Sequence, residues 1–274
     1  MNTIKTHATL RGGASVPRVG LGVFRMRKGE ETRATVQLAL SLGYRHVDTA
    51  SVYGNEEDVG AAVRGSSIPR EQLFVTTKLW NKDQGYDRAR RAFDESLARL
   101  GLDYVDLYLL HWPVPELRLE SWRALEAIYA SGRARAIGVS NFMTHHLEEL
   151  IGHARVLPEV NQIELSPFLQ QRATREFCAR HGIVVAAYSP LTKGGRLGDP
   201  VIARIAGELG RTPAQVMLRW GLQRDVVVLP KSSNPGRLAE NLALFDFNLS
   251  DAQLRELDAL EDGWVTGWDP REVP

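Results

Sequence analysis

Four residues of this chain bear chemistry at the points where short apolar runs end. One run closes in Val47-Asp48-Thr49 and is followed shortly by Tyr53, the next ends on Lys78, and a third leads into His111-Trp112. An acid, a phenol, an amine and an imidazole thus stand at the ends of three consecutive runs. Carbonyl reduction is a use for such a quartet. Negative charge develops on the oxygen as hydride arrives, so the site needs a proton donor. Tyr53 is the candidate acid. A phenol is weak at its reference pKa of about 10, and a neighbouring ammonium lowers it. Lys78 is therefore read as the activating charge, Asp48 as its holder, and His111 as the group that hydrogen-bonds and orients the carbonyl oxygen. Taken singly, Asp48 could cap a turn, Lys78 could reach solvent and His111 could sit in the core. Their joint placement favours the chemical reading. No metal is required: there is no H-E-x-x-H, His145 and His146 diverge from a helix, and one Cys cannot build a thiolate cluster.

These residues need elements to hold them. Short β-rich runs occur at residues 19–22, 46–48, 74–78, 105–110, 136–140, 160–163, 184–188 and 226–229. Most are continuously apolar, the pattern of parallel strands covered on both faces. Helix-periodic segments lie between them at 30–42, 56–64, 87–99, 119–131, 144–152, 172–181 and 213–223. Gly43, Gly101, Gly132 and Gly182 follow such segments as helix ends, and Thr212-Pro213 offers a cap followed by proline at the first helical position. Eight strands in strict alternation with helices predict a closed parallel α/β barrel, the (β/α)8 TIM fold, whose chemistry collects at the C-terminal strand ends. The chain reads as one domain over residues 1–274. A hairpin, 4–10 with 14–16 around Gly12-Gly13, is expected to cap the barrel bottom. Helices at 235–244 and 250–260 and a tail from Trp264 to Pro274 follow the last strand. A doubly wound dinucleotide-binding sheet is the other architecture weighed. Its glycine fingerprint fails here, because Gly20-Leu21-Gly22-Val23-Phe24-Arg25 lacks the third glycine.

Composition removes several classes. Thirty-four Lys+Arg against 33 Asp+Glu leave a net charge of +1, which supplies no global field for nucleic acid or an anionic membrane. The longest apolar runs fall far short of the ~20 residues that span a bilayer. The first residues show no apolar signal segment, and Cys178 reads as a small buried hydrophobe, so the expectation is a cytoplasmic protein, and a monomer.

At the quartet the chain resembles the aldo-keto reductases, over essentially its whole length. The resemblance rests on Gly43-Tyr44-Arg45-His46-Val47-Asp48-Thr49-Ala50 with Tyr53-Gly54-Asn55-Glu56, Thr77-Lys78-Leu79-Trp80, and Leu102-Asp103-Tyr104-Val105-Asp106-Leu107-Tyr108 running into His111-Trp112-Pro113. It continues through Ile137-Gly138-Val139-Ser140-Asn141-Phe142, Asn161-Gln162-Ile163-Glu164, Tyr188-Ser189-Pro190-Leu191, Leu229-Pro230-Lys231-Ser232 and Glu240-Asn241-Leu242. In detail it is most similar to the bacterial branch that includes 2,5-diketo-gluconate reductases. The resemblance implies NADPH as cofactor, Tyr53 as general acid, Lys78 and Asp48 tuning it, and His111 placing the carbonyl. It also implies that Ser140, Asn141 and Gln162 hold the nicotinamide carboxamide and that Tyr188 stacks on the ring, with Gly22, Val23 and Asp48 nearby. Ser189, Pro190 and Leu191, with Lys231, Ser232, Ser233 and Asn234, would wrap the phosphates. Lys231, Ser232 and Arg237 would meet a 2′-phosphate, and Glu240 and Asn241 would lie near the adenine. One departure is visible: members of the family often carry His after the Asn161-to-Leu165 segment, where this chain reads Ser166-Pro167-Phe168.

The expected substrate wall is aromatic: Phe24, Trp80 and Trp112, joined by Tyr53 and His111, with Trp264 and Trp268 of the tail closing over it. Such walls suit small aldehydes, ketones and dicarbonyls. Two other readings stay open: a cofactor-holding barrel with a regulatory or structural role, and a barrel hydrolase using Asp48 and His111.

Overall fold

The computed structural model describes residues 6–274. A hairpin comes first, β1 (His7–Thr9) antiparallel to β2 (Ser15–Pro17), with Ala8 opposite Val16. Ile4 and Lys5 of the expected hairpin lie outside the described residues. Next come β3 (Leu21–Gly22), α1 (Glu30–Leu42), β4 (His46–Asp48), α2 (Glu56–Arg64), β5 (Phe74–Leu79), α3 (Tyr86–Leu100), β6 (Leu107–Leu110) and α4 (Arg118–Ala130). They are followed by β7 (Ile137–Ser140), α5 (Thr144–His153), β8 (Val160–Glu164), α6 (Arg172–Arg180) and β9 (Val184–Tyr188). The last elements are α7 (Pro200–Leu209), α8 (Pro213–Gln223), β10 (Val227–Leu229), α9 (Pro235–Leu242) and α10 (Asp251–Asp258).

Strands β3 to β10 lie side by side in chain order, each parallel to the next. The two edge strands then meet. The N–H of Gly20 donates to the Val228 carbonyl at 2.9 Å, that of Val228 to Arg18 at 2.8 Å, and that of Gly22 to Pro230 at 3.1 Å. An eight-stranded parallel sheet closed in this way is the TIM barrel that the alternating pattern predicts. The ladders are shorter than the apolar runs: Val19 and Val105 form single bridges only. Tilted, twisted strands keep ladder geometry over few residues, while apolar burial extends beyond it.

The N-terminal end of the barrel is plugged. Ala8, Leu10 and Val16 of the hairpin region pack on Phe74, Leu107, Leu109, Ala136, Val160, Ala186, Val227 and Leu229. Outside, the helices bury their apolar faces on the sheet and on one another. A Cβ at Gly60 would lie 1.9 Å from the Leu100 carbonyl oxygen, so α2 and the end of α3 touch at backbone level. With one end sealed, the polar residues at the other end are left for chemistry.

Three helices after β9 differ from expectation. The crossover between β9 and β10 carries two helices where the sequence reading placed only 213–223. The additional α7 begins at Asp199, whose carboxylate accepts the Val201 N–H at 2.9 Å, with Pro200 first in the helix and Gly210 left-handed at its end. Helix α9 stops at Leu242, two residues early. Ser250 is the cap of α10 rather than its first turn, its hydroxyl accepting the Gln253 N–H at 3.2 Å. Among the described residues no helix is long and apolar enough to cross a membrane, and no cluster of three His, Cys, Asp or Glu could hold a metal.

Candidate active site

The three runs that end in chemistry are β4, β5 and β6, which are neighbours in the sheet, with Asp48 beside Thr76 across the first pair. Asp48, Lys78 and His111 therefore rise from adjacent strand ends, and Tyr53 reaches them from a short 3-10 turn, Ser51–Tyr53. The fully buried Lys78 ammonium donates to Asp48 Oδ1 at 2.6 Å, to the Thr49 carbonyl at 2.9 Å and to the Tyr53 hydroxyl at 3.5 Å. From across the barrel, Gln162 Nε2 donates to the other Asp48 oxygen at 2.7 Å. His111 is buried beside them, its ring edge-on to Tyr53 with centroids 5.7 Å apart.

Burial controls the electrostatics. The Tyr53 pKa is raised well above its ordinary value by burial first and by the Asp48 charge second. This reverses the sequence-based expectation that Lys78 lowers it. The ammonium is already neutralised by Asp48 at 2.6 Å, so what the phenol gains from Lys78 is smaller than what it loses on leaving water. Burial lowers Lys78, opposed by Asp48. Burial and then Lys78 push His111 well below the usual imidazole range, leaving a neutral ring. Its Nδ1 is buried without a partner, so Nε2 is the nitrogen able to reach a ligand. The site thus presents a protonated phenol and a neutral imidazole at one mouth.

Aromatic rings wall that mouth. Phe24 lies 4.9 Å from Tyr53 between centroids, and Trp80 lies 5.2 Å from His111. Trp268 of the tail stands edge-on to Trp112 at 5.8 Å and is 74% exposed. Trp264 does not join this wall. It packs against Gly195 and under the Arg196 guanidinium, on the loop after β9. The tail is tied down on both sides of it. The N–H groups of Asp262, Gly263 and Trp264 point to the Phe168 carbonyl, and the Thr266 N–H donates to Glu164 at 2.8 Å. At its far end the Val273 carbonyl accepts from His145 at 2.9 Å and His146 at 2.8 Å.

The expected cofactor residues ring the rest of the same barrel end. Ser140 and Asn141 end β7, Gln162 lies in β8, and Tyr188 ends β9. They are already cross-linked: Tyr188 donates to Asn141 Oδ1 at 2.8 Å, Asn141 Nδ2 to the His111 carbonyl at 2.9 Å, and Ser140 to the Gln162 carbonyl at 2.8 Å. Asn141 and Ser189 sit in the left-handed region at φ 65° and 48°, an uncommon setting for non-glycine residues and a frequent one at ligand clamps. Gly22 and Val23 close the circle at the end of β3; a Cβ on Gly22 would come within 3.3 Å of the Leu229 carbonyl oxygen. At the start of α9, Ser232 is buried and its hydroxyl accepts the Asn234 N–H at 3.1 Å and Arg237 Nε at 3.3 Å. Lys231, Ser233 and Arg237 are exposed there. Two cations, two hydroxyls and a helix start form a donor set that fits a phosphate. Pro190 and Leu191 precede the turn after β9, at the same end. Glu240 is already engaged, accepting the Thr212 hydroxyl at 2.6 Å, and Asn241 is buried.

Two supports went unassigned in the sequence. Buried Asn55 accepts the Thr49 hydroxyl at 2.8 Å and donates to the Val23 carbonyl at 3.0 Å, fixing the turn that carries Tyr53. Glu56, also buried, accepts from Thr77 at 2.6 Å and Arg99 at 2.7 Å, bracing β5 from outside. Their signal was two polar residues directly after Tyr53-Gly54, where a helix begins.

Known proteins resemble this chain in sequence and in fold. The model of the Aldo/keto reductase family matches residues 18–262. A morphine 6-dehydrogenase of Pseudomonas putida is 51% identical over 96% of this chain and 94% of its own. A glyoxal reductase of Bacillus subtilis is 46% identical over 99% of this chain and 98% of its own. The crystal structure of an aldo/keto reductase from Brucella melitensis superposes with a TM-score of 0.90 at 46% identity, covering 93% of this chain and 99% of the other.

Proposed function

The chain belongs to the aldo/keto reductase family, and from that premise we propose that it reduces small aldehydes, ketones and dicarbonyls to alcohols with NADPH, using Tyr53 as general acid. The observation that carries this reading is the cluster in which Lys78 bonds Asp48 and the Tyr53 hydroxyl beside a neutral His111. Bound NADPH supplies the hydride. Ser140, Asn141 and Gln162, which stand together at the end of β7 and on β8, would hold its amide end, and Tyr188 would offer the ring for stacking. Ser189, Pro190, Leu191, Ser232, Ser233 and Asn234 would line the phosphate path with Gly22 and Val23. Lys231 and Arg237 would meet the 2′-phosphate, and Glu240 and Asn241 would border the adenine.

The substrate oxygen lies between the Tyr53 hydroxyl and His111 Nε2, both donors. As charge develops on that oxygen, the Tyr53 proton passes to it. A phenol with a raised pKa can still do this, because the developing alkoxide is about as basic as hydroxide and far more basic than an ordinary phenolate. The phenolate left behind is met by the Lys78 ammonium, and Asp48 keeps that ammonium in place. Phe24, Trp80 and Trp112 exclude water and hold the substrate's apolar part. The name of the Bacillus relative gives glyoxal, a dicarbonyl of the class proposed here, as its substrate.

The same reading has the protein act as one domain in the cytoplasm, and as a monomer, since of the four large hydrophobic residues exposed among the described residues Phe24 and Trp268 belong to the mouth. The test is loss of 340 nm absorbance with NADPH and a panel of glyoxal, methylglyoxal and aromatic aldehydes. Turnover is expected. NADPH binding without turnover of any of them would leave a regulatory or structural barrel.

A further inference from the structure

The loop that follows β3 reads Val23-Phe24-Arg25-Met26-Arg27-Lys28-Gly29, with three cations in four positions directly after the wall residue Phe24. Neighbouring acids are otherwise engaged. Glu31 faces Arg27 at 3.9 Å, Glu30 pairs with Arg33, Asp58 accepts the Gly29 N–H at 2.8 Å, and Asp269 across the mouth is bonded to Arg271 at 2.8 Å. Arg25 and Lys28 have no ion pair or side-chain hydrogen bond among the described residues, and both lean over the mouth. The Arg25 guanidinium stands 5.3 Å from the Phe24 ring centroid, and that ring is 4.9 Å from the Tyr53 ring. The Lys28 side chain lies over Gly54, with its ammonium 3.0 Å from where a Cβ on that residue would be, one residue from Tyr53. Arg25 itself sits at φ 60°, a left-handed setting that arginine adopts rarely and that turns its side chain back onto Phe24.

We propose that Arg25 and Lys28 select carbonyl substrates bearing a carboxylate or phosphate set back from the carbonyl by an aromatic ring or short chain. This rests on the carbonyl-reductase reading above. A substrate whose carbonyl meets Tyr53 extends along Phe24, and its far end arrives under two unpaired cations. The same group attached directly to the carbonyl would remain beside Tyr53 and gain less. Because both cations are exposed, the attraction is modest and screened by salt. It acts on binding of the substrate rather than on the proton transfer, so it shows in KM.

The experiment compares 4-carboxybenzaldehyde with benzaldehyde at low ionic strength, in the parent and in Arg25→Gln, Lys28→Gln and the double variant. Glutamine keeps an unbranched stem and removes only the charge. The ratio of kcat/KM for the acid over the neutral aldehyde is expected to fall about 5-fold in the double variant, equivalent to about 1 kcal/mol. The fall should lie in KM for the acid, with benzaldehyde kinetics unchanged, and salt at 0.5 M should erase the difference. An unchanged ratio, or equal losses for both aldehydes, would overturn the proposal while leaving carbonyl reduction intact. If the parent turns over neither aldehyde nor any dicarbonyl, the reductase reading fails and this inference fails with it.

Discussion

At the top of β5, Lys78 is fully buried and bonded to a carboxylate, a carbonyl and a phenol; at the start of α9, Lys231 and Arg237 stand in solvent, with only Arg237 touching a hydroxyl, at 3.3 Å. The two regions serve one mouth with opposite constructions. Three other residues fix the Lys78 ammonium and two fix the Asp48 carboxylate, so neither charge of that pair can be removed without leaving the other unmatched in a dry site. The exposed cations are independent of each other. Removing one subtracts its own share of binding and disturbs little else. All-or-none effects are therefore expected at the strand tops and graded effects at the helix start.

Lys78→Met gives the largest expected effect. It should abolish reduction at least as fully as loss of the phenol, since the phenolate then forms with no cation beside it. It should also destabilise the fold, because Asp48 stays buried with Gln162 as its remaining partner. Breaking a buried pair costs about 3–5 kcal/mol, which lowers Tm by roughly 10 °C in a domain of this size. Thermal denaturation followed by circular dichroism measures the second effect separately from the first. A variant with near-parent turnover and an unshifted pH profile would break the contrast, making Lys78 an ordinary buried cation.

Tyr53→Phe comes next and is cleaner, because only a hydroxyl is removed. Normal folding and cofactor binding are expected, with turnover reduced about 10²–10⁴-fold, the usual contribution of a general acid. Turnover within about 3-fold of the parent would exclude the role. The pH profile sharpens the point. With Tyr53 raised and His111 lowered, neither of those two groups changes charge between about pH 6.5 and 10, and the fall expected within that window is the alkaline one, as Lys78, lowered by burial, loses its proton. A step that is present in the parent and absent from the residual turnover of Tyr53→Phe would instead show that Lys78 lowers the phenol, as the sequence suggested.

That reversal marks where sequence reasoning ends. The barrel was legible because strands buried on both faces read as unbroken apolar runs, and the ends of those runs pointed to Asp48, Lys78 and His111. The sign of the Tyr53 shift was not, because the desolvation that dominates it depends on rings contributed by Phe24 and by His111. Nor was the bond from Gln162 to Asp48, which spans 114 residues and exists only when β4 and β8 face each other across a closed barrel. Helix α7 has no counterpart in the sequence-based assignment, although Asp199-Pro200 repeats the cap pattern of Thr212-Pro213. The two tail tryptophans looked alike in sequence, and only the anchors at Phe168 and Glu164 separate Trp264 from the Trp112 wall that Trp268 joins.

The smallest effect belongs to the exposed region, and it tests cofactor choice. Arg237 lies in the first turn of α9, where its backbone N–H is capped by Asn234 at 3.0 Å and its guanidinium leans on Ser232. NADPH carries a 2′-phosphate that NADH lacks, so a cation placed there discriminates by binding and leaves hydride transfer alone. A hydrogen bond to a charged group contributes about 1.5–3 kcal/mol, a factor of about 10–150 in affinity. Exposure places Arg237 at the lower end of that range, because solvent and salt compete for the phosphate. Arg237→Ala should therefore weaken NADPH about 10-fold in a fluorescence titration, leave NADH nearly unchanged, and leave kcat at saturating cofactor within error. Lys231 remains beside it, so preference for NADPH should shrink rather than vanish. Equal affinity of the parent for the two cofactors would remove the NADPH assignment. Equal weakening of both would move Arg237 from the 2′-phosphate to a phosphate the two cofactors share. A loss as large as that of Tyr53→Phe would mean that the helix start is as tightly coupled as the strand tops, and the contrast between the two regions would be wrong.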